Sequence, residues 1–221
     1  MLPLGLLRLA SERVSRSRVL ARRLFGVEFP PRDDAGARYF DLTTPVLVSV
    51  VAPRLRPGLR LLDMGTGAFA TIGLALWRRT GCAVVATDVR PELVRRAQAN
   101  VDANHAPIRV AEARFYEGIE GEFDCVTFNA PYVPSSFLAG SDPQSDGGPE
   151  GTAIIEGFLD AFAAKGGRST AYLGVNRLFV PRAKVEALVG RRAGVRLTDV
   201  RRRWPWPVDV YVLTRTVRTG C

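Results

Sequence analysis

Histidine, lysine, cysteine and long apolar runs are scarce in this 221-residue sequence. Its one histidine, His105, lies in a polar stretch, which leaves little for a histidine-based triad and nothing for a multi-histidine metal site. Of three cysteines, Cys82 and Cys125 fall in strand-like runs and Cys221 is the last residue. They form neither a disulfide framework nor a metal-binding spacing, and they fit a reducing compartment such as the cytoplasm. No stretch of 18 or more apolar residues offers a membrane span. Internal repeats and low-complexity tracts are missing too. Lysine occurs only at Lys165 and Lys184, so the net charge of +9 is carried by arginine. An acidic partner or a nucleic acid would suit that charge, and a GC-rich genome accounts for it equally.

What is present is an apolar fraction of 47%, enough for one sizeable core. Residues 1–25 alternate leucine and valine with arginine and read as an amphipathic helix packed on the domain. The same arginine-rich, acid-poor composition also fits a transit segment. Residues 26–41 are rich in Pro, Gly and Asp and read as a linker, so an N-terminal extension over 1–41 precedes a domain over 42–221. Asp41-Leu42-Thr43-Thr44-Pro45 reads as a helix start. From Leu59 onward strands alternate with helices. Strands are expected at 59–64, 83–87, 108–111, 123–128, 169–175, 195–202 and 208–216, with helices reaching about 79, and over 91–104, 151–164 and 181–192. That alternation predicts an α/β fold with a mostly parallel sheet and helices on both faces.

Ligands of such sheets bind at the carboxyl ends of the strands. Three stretches sit there. Gly65-Thr66-Gly67 leads from a strand into a helix, where glycines let backbone approach a ligand and free N–H groups face it. Asp88, 21 residues after Gly67, can accept hydrogen bonds from both hydroxyls of a ribose. Asn129-Ala130-Pro131-Tyr132 is a proline-stiffened loop holding one amide, backbone carbonyls and one ring, an arrangement suited to a planar nitrogen group. The first two stretches also match a nicotinamide-dinucleotide fingerprint and so an oxidoreductase. Against that reading, Asp63 would crowd a pyrophosphate, and the Asn129 loop would have no task. A non-catalytic cofactor- or nucleic-acid-binding module is the third reading.

These residues together resemble the class I S-adenosylmethionine-dependent methyltransferases, and within them the Asn-Pro-Pro-Tyr type. The likeness is greatest to the protein-glutamine N5-methyltransferases of release factors, in compact form and with an Asn-Ala-Pro-Tyr variant. It is carried by Leu61 to Gly67, Ala86-Thr87-Asp88, Phe123 to Pro134 and the Asp146-Gly147-Gly148-Pro149-Glu150-Gly151 run. The resemblance implies a Rossmann-like seven-stranded sheet with an antiparallel last strand, and S-adenosyl-L-methionine as cofactor. Asp63, Gly65, Thr66 and Gly67 would face its methionine part, and Asp88 with Val89 its ribose. Arg114 falls near the place where the family has an acid close to the adenine, with Glu112 as a substitute for that acid. Phe69 replaces a third glycine, and Ala130 the first proline of the loop.

Asn129, Ala130, Pro131 and Tyr132 would do the catalytic work. The Asn129 side-chain oxygen and the Ala130 carbonyl accept the two N–H protons of the substrate, the lone pair is aimed at the methyl, and Tyr132 stacks on the planar group. No metal is required. Trp204 and Trp206 follow the sixth strand, and at least one is expected to line the substrate cavity opposite Tyr132. The N-terminal segment around Tyr39 to Thr44, with Thr43 and Thr44 as its contacts, would close the remaining side. Arg201, Arg202 and Arg203 beside those tryptophans could bind single-stranded nucleic acid, but an edge strand with solvated charges is the favoured reading. The expected partner is therefore a protein or small molecule rather than nucleic acid, met by a monomer or homodimer away from membranes.

Overall fold

The computed structural model describes residues 14–31, 38–138 and 144–215. The first half of the arginine-rich helix, part of the linker, and Cys221 lie outside them. Seven strands form one sheet: β1 (Arg60–Met64), β2 (Ala83–Asp88), β3 (Arg109–Glu112), β4 (Cys125–Asn129), β5 (Thr170–Asn176), β6 (Val195–Arg202) and β7 (Val208–Arg215). Their order is β3-β2-β1-β4-β5-β7-β6. β1 to β5 pair in parallel, and β7 runs antiparallel to both β5 and β6. The expected strands are all present, with ends that agree to within two residues.

Alternation along the strands divides the interior in two. Leu61, Val84, Ala86, Cys125 and Tyr172 face one layer; Leu62, Val126, Phe128, Ala171 and Leu173 face the other. The first layer is covered by α1 (Arg18–Phe25), α2 (Thr43–Val51), α3 (Thr71–Thr80) and α4 (Pro91–Ala103). The second is covered by α5 (Ala153–Ala164) and α6 (Arg182–Gly190). Central strands buried on both faces need apolar residues at every position, which is why they read as continuous runs.

The N-terminal segment is built into the first layer. Phe25 of α1 meets Phe40, and Phe29 and Tyr39 pack on each other with ring centroids 5.2 Å apart. Both rings also touch Phe69, at 6.2 and 4.7 Å. The described part of the 26–41 stretch thus carries core residues, Val27, Phe29, Tyr39 and Phe40, and not only turn residues. α2 lies close over β5: a Cβ on Gly174 would overlap Thr43 and come within 2.7 Å of Leu47 Cδ1. Only glycine permits that approach.

Candidate active site

β1, β2 and β4 end side by side, and strand order reverses between β1 and β4. The loop after β1 bridges all three. Thr66 N–H donates to the Thr87 carbonyl (2.8 Å) and Gly67 N–H to Asp88 Oδ2 (2.9 Å). Gly65 and Gly67 have φ of +64° and +66°, and a Cβ on Gly65 would press on the Phe128 ring. Asp88 Oδ1 accepts from Arg90 N–H (3.1 Å). Burial pushes the Asp88 carboxyl above its ordinary range, against those two backbone donors. Val89 beside it is 57% exposed and offers apolar surface at the mouth. Arg114 is exposed, just beyond β3, with its guanidinium over Phe115.

Asp63 is not where it was expected. It is fully buried under the loop and accepts from Thr66 Oγ1 (2.6 Å), Gly73 N–H (2.9 Å) and Thr127 Oγ1 (2.9 Å). It ties β1, α3 and β4 together and has no surface to offer a ligand. Burial raises its carboxyl to about 6 despite those three donors. Phe69, the departure from glycine, turns the other way from the strand ends, into Phe29 and Tyr39.

The Asn129 loop is held by Asp41, which lies in the helix start and in the segment expected to close this side of the site, but was given no contact of its own. Asp41 Oδ1 accepts from Asn129 Nδ2 (3.1 Å), and Asp41 Oδ2 accepts from the Tyr132 hydroxyl (3.2 Å). The same Oδ1 caps α2, accepting from Thr43 N–H (3.0 Å), Thr44 N–H (2.9 Å) and Thr44 Oγ1 (2.9 Å). Thr43 Oγ1 shares a hydrogen bond with the Tyr132 hydroxyl (2.8 Å). Asn129 Oδ1 is buried and has no hydrogen-bond partner among the described residues. Burial, and then the charge of Asp41, keeps the Tyr132 phenol well above its ordinary value, so it stays protonated.

Several expected contacts are corrected by these positions. Thr43 is 0% and Thr44 4% exposed, so both build the loop's support and neither lines a cavity. The ring packed on Tyr132 is Phe179, just past β5, with centroids 6.1 Å apart and planes 30° apart. Trp204 is 94% exposed and forms no wall. The tryptophan loop does leave the carboxyl end of β6, which runs parallel to β5, but β5 and β7 stand between β6 and β4. At about 4.8 Å per strand step that is roughly 14 Å from the Asn129 strand. Trp206 is instead tied by its carbonyl to Arg177 (3.4 Å). Arg201 and Arg202 pair with Asp199 and Asp209 on the edge strand and its neighbour. An aromatic residue just past the strand beside β4 was the signal that could have found Phe179.

Residues 36–137 match the family model of the methyltransferase small domain. Over 114 residues the chain is 31% identical to a Methanocaldococcus jannaschii protein named as a protein N5-glutamine methyltransferase, covering 48% of this chain and 57% of that one. Over 86 residues it is 31% identical to the release factor glutamine methyltransferase of Haemophilus influenzae, covering 35% and 29%. The matched part thus spans about half or less of these curated relatives. Among solved structures, a methyltransferase from Pyrococcus furiosus superposes with a TM-score of 0.65 at 20% identity, over 96% of this chain and 99% of that one. The E. cuniculi Mtq2–Trm112 complex, described as responsible for methylation of the eRF1 termination factor, gives 0.55 at 26% identity, over 78% and 93%. The fold is that of the Rossmann-like methyltransferases. Among the described residues no helix is long and apolar enough to cross a membrane.

Proposed function

We propose that this chain, whose residues 36–137 match the family model of the methyltransferase small domain, transfers a methyl group from S-adenosylmethionine to a planar nitrogen, with a protein glutamine amide as the first candidate. The observation that carries this reading is Asn129 Oδ1. A buried acceptor left without a partner is costly, and an arriving N–H group satisfies it. The strand ends support the cofactor: two glycines with positive φ, an acid at Asp88, and exposed Val89 beside it. Gly65 to Gly67 and Asp88 would hold S-adenosylmethionine, which supplies an activated sulfonium methyl. Because that methyl is already electrophilic, the protein's task is alignment. Asn129 Oδ1 accepts one N–H proton of the substrate and the Ala130 carbonyl the other, turning the nitrogen lone pair towards the methyl. Both oxygens also favour positive charge growing on the nitrogen. Tyr132 and Phe179 back the loop as a stacked pair, so Phe179 takes part in the wall first assigned to tryptophan. The names of the glutamine methyltransferases that this chain resembles support an amide substrate, and the Mtq2–Trm112 likeness supports a protein partner.

Mass spectrometry of ligand retained on the purified protein, followed by tritiated methyl transfer to glutamine-containing peptides, tests the reading. S-adenosylmethionine or its demethylated product, with label on the glutamine amide, is expected. A retained nicotinamide dinucleotide, with no affinity for S-adenosylmethionine, would overturn it.

A further inference from the structure

An asparagine side chain has a donor end and an acceptor end of nearly the same shape, and only its partners decide which way round it stands. At Asn129 the partner is Asp41, 88 residues away. An ionised carboxylate accepts and cannot donate. Turning the Asn129 amide over would set its oxygen against Asp41 Oδ1, an oxygen already receiving Thr43 N–H, Thr44 N–H and Thr44 Oγ1. Asp41 itself is fixed, because it caps α2, and α2 is seated on β5 at Gly174 with no room to shift towards the strand. Its other oxygen receives the Tyr132 hydroxyl from the far end of the same loop. One carboxylate on the N-terminal side of the domain therefore holds both polar ends of the Asn129–Tyr132 loop.

We infer that Asp41 is a positioning residue that fixes Asn129 with its oxygen towards the substrate, and so restricts the site to nitrogens that carry a hydrogen to donate. The inference rests on the methyl-transfer reading for its substrate and goes beyond it in naming what selects that substrate. A primary amide or an exocyclic amine presents N–H to Asn129 Oδ1 and is accepted. A ring nitrogen that offers only a lone pair meets an acceptor and is rejected, since two acceptors cannot hydrogen-bond. Tyr132 is a consequence of the same arrangement: its phenol spends its hydrogen bonds on Asp41 and Thr43, which leaves the ring as support for the loop.

Two substitutions separate positioning from mere capping. Asp41→Ser keeps a side-chain oxygen for the Thr43 and Thr44 N–H groups but is too short to reach Asn129. Asp41→Asn keeps an oxygen where Oδ1 stands and so retains the Asn129 contact. In the full chain, assayed with S-adenosylmethionine and a peptide holding a single glutamine, Asp41→Ser should lower kcat by about 10–100-fold. The KM for S-adenosylmethionine and the melting temperature should stay near wild type, and Asp41→Asn should restore most of the rate. The side-chain amide resonances of Asn129, identified by their loss in Asn129→Asp, give a readout that needs no turnover. They should shift and exchange faster with water in Asp41→Ser and stay near wild type in Asp41→Asn. Unchanged Asn129 resonances in Asp41→Ser, or an undiminished kcat in that folded variant, would overturn the inference. A wild-type protein that methylates no peptide, while the resonances follow Asp41, would instead sink the methyl-transfer reading and leave Asp41 as the group that orients Asn129.

Discussion

Two acids stand at the ends of neighbouring strands and do different work. Asp63 is sealed under the glycine loop, where burial raises its carboxyl from 3.8 to about 6. An unfolded chain ionises this group near pH 4 and the folded one near pH 6. Between those values the folded state holds the extra proton, so this group's contribution to stability falls as pH rises. In Asp63→Asn the amide oxygen can take Gly73 N–H and Thr66 Oγ1 while the NH2 donates to Thr127 Oγ1, so the bonds are kept without the charge. Denaturant unfolding from pH 4 to 6 should show wild type losing on the order of 2 kcal/mol relative to Asp63→Asn. Parallel curves for the two proteins would remove Asp63 as the cause. Asp88 keeps a little exposure at the mouth and is the acid expected to meet ligand. Asp88→Ala should weaken S-adenosylmethionine binding by about 1.5–3 kcal/mol in calorimetry, the scale for a charged acceptor. Both acids were visible in the sequence as strand-end carboxylates. Which of them turns inward depended on Thr127, a residue on another strand.

At the scale of elements, the site is assembled where α2, the glycine loop and the β4 loop meet. Gly174 sets how close α2 comes. Gly174→Ala forces its methyl into Thr43 and Leu47, which should cost about 1–3 kcal/mol in denaturant melts. Thr43 carries the Tyr132 hydroxyl and adjoins Asp41, so methyl transfer should fall further than S-adenosylmethionine affinity does. Equal losses in both would mean that α2 supports only the fold. The Phe29–Tyr39–Phe69 cluster joins the N-terminal segment to the glycine loop. It explains how a phenylalanine can replace a glycine there: its ring fills the core and leaves the strand ends clear. Helix and strand positions were legible because each is written in local periodicity and in Pro and Gly punctuation. The contacts among them were not, since rings 30 or more residues apart carry no local sign of their meeting.

For the whole molecule the open variables are charge and breadth of surface. A net charge of +9 favours acidic partners, yet arginines of the β6 edge are paired with Asp199 and Asp209. Substrate affinity measured from 50 to 200 mM salt should therefore vary modestly for a protein substrate. A fall of about 10³ or more would mark a nucleic acid. Trp204, at 94% exposure, should contribute little to folding, so Trp204→Ala should shift stability by less than about 0.5 kcal/mol. Raised KM for a protein substrate, with KM for a short glutamine peptide unchanged, would place that ring in macromolecular recognition.

The sequence alone determined the order of strands and helices, the parallel sheet and the arrival of Gly65, Asp88 and Asn129 at one edge. Each of these follows from patterns within a few residues and from the rule that parallel strands end on the same side. Tertiary structure decided what those residues face. It turned Asp63 and Phe69 inward, left Trp204 in solvent at the end of β6, three strand steps from β4, set Phe179 against Tyr132 and brought Asp41 to Asn129. The physical reason is that a hydrogen bond or ring contact across 88 residues is selected by packing and polar satisfaction in the assembled core, and neither leaves a trace in local sequence.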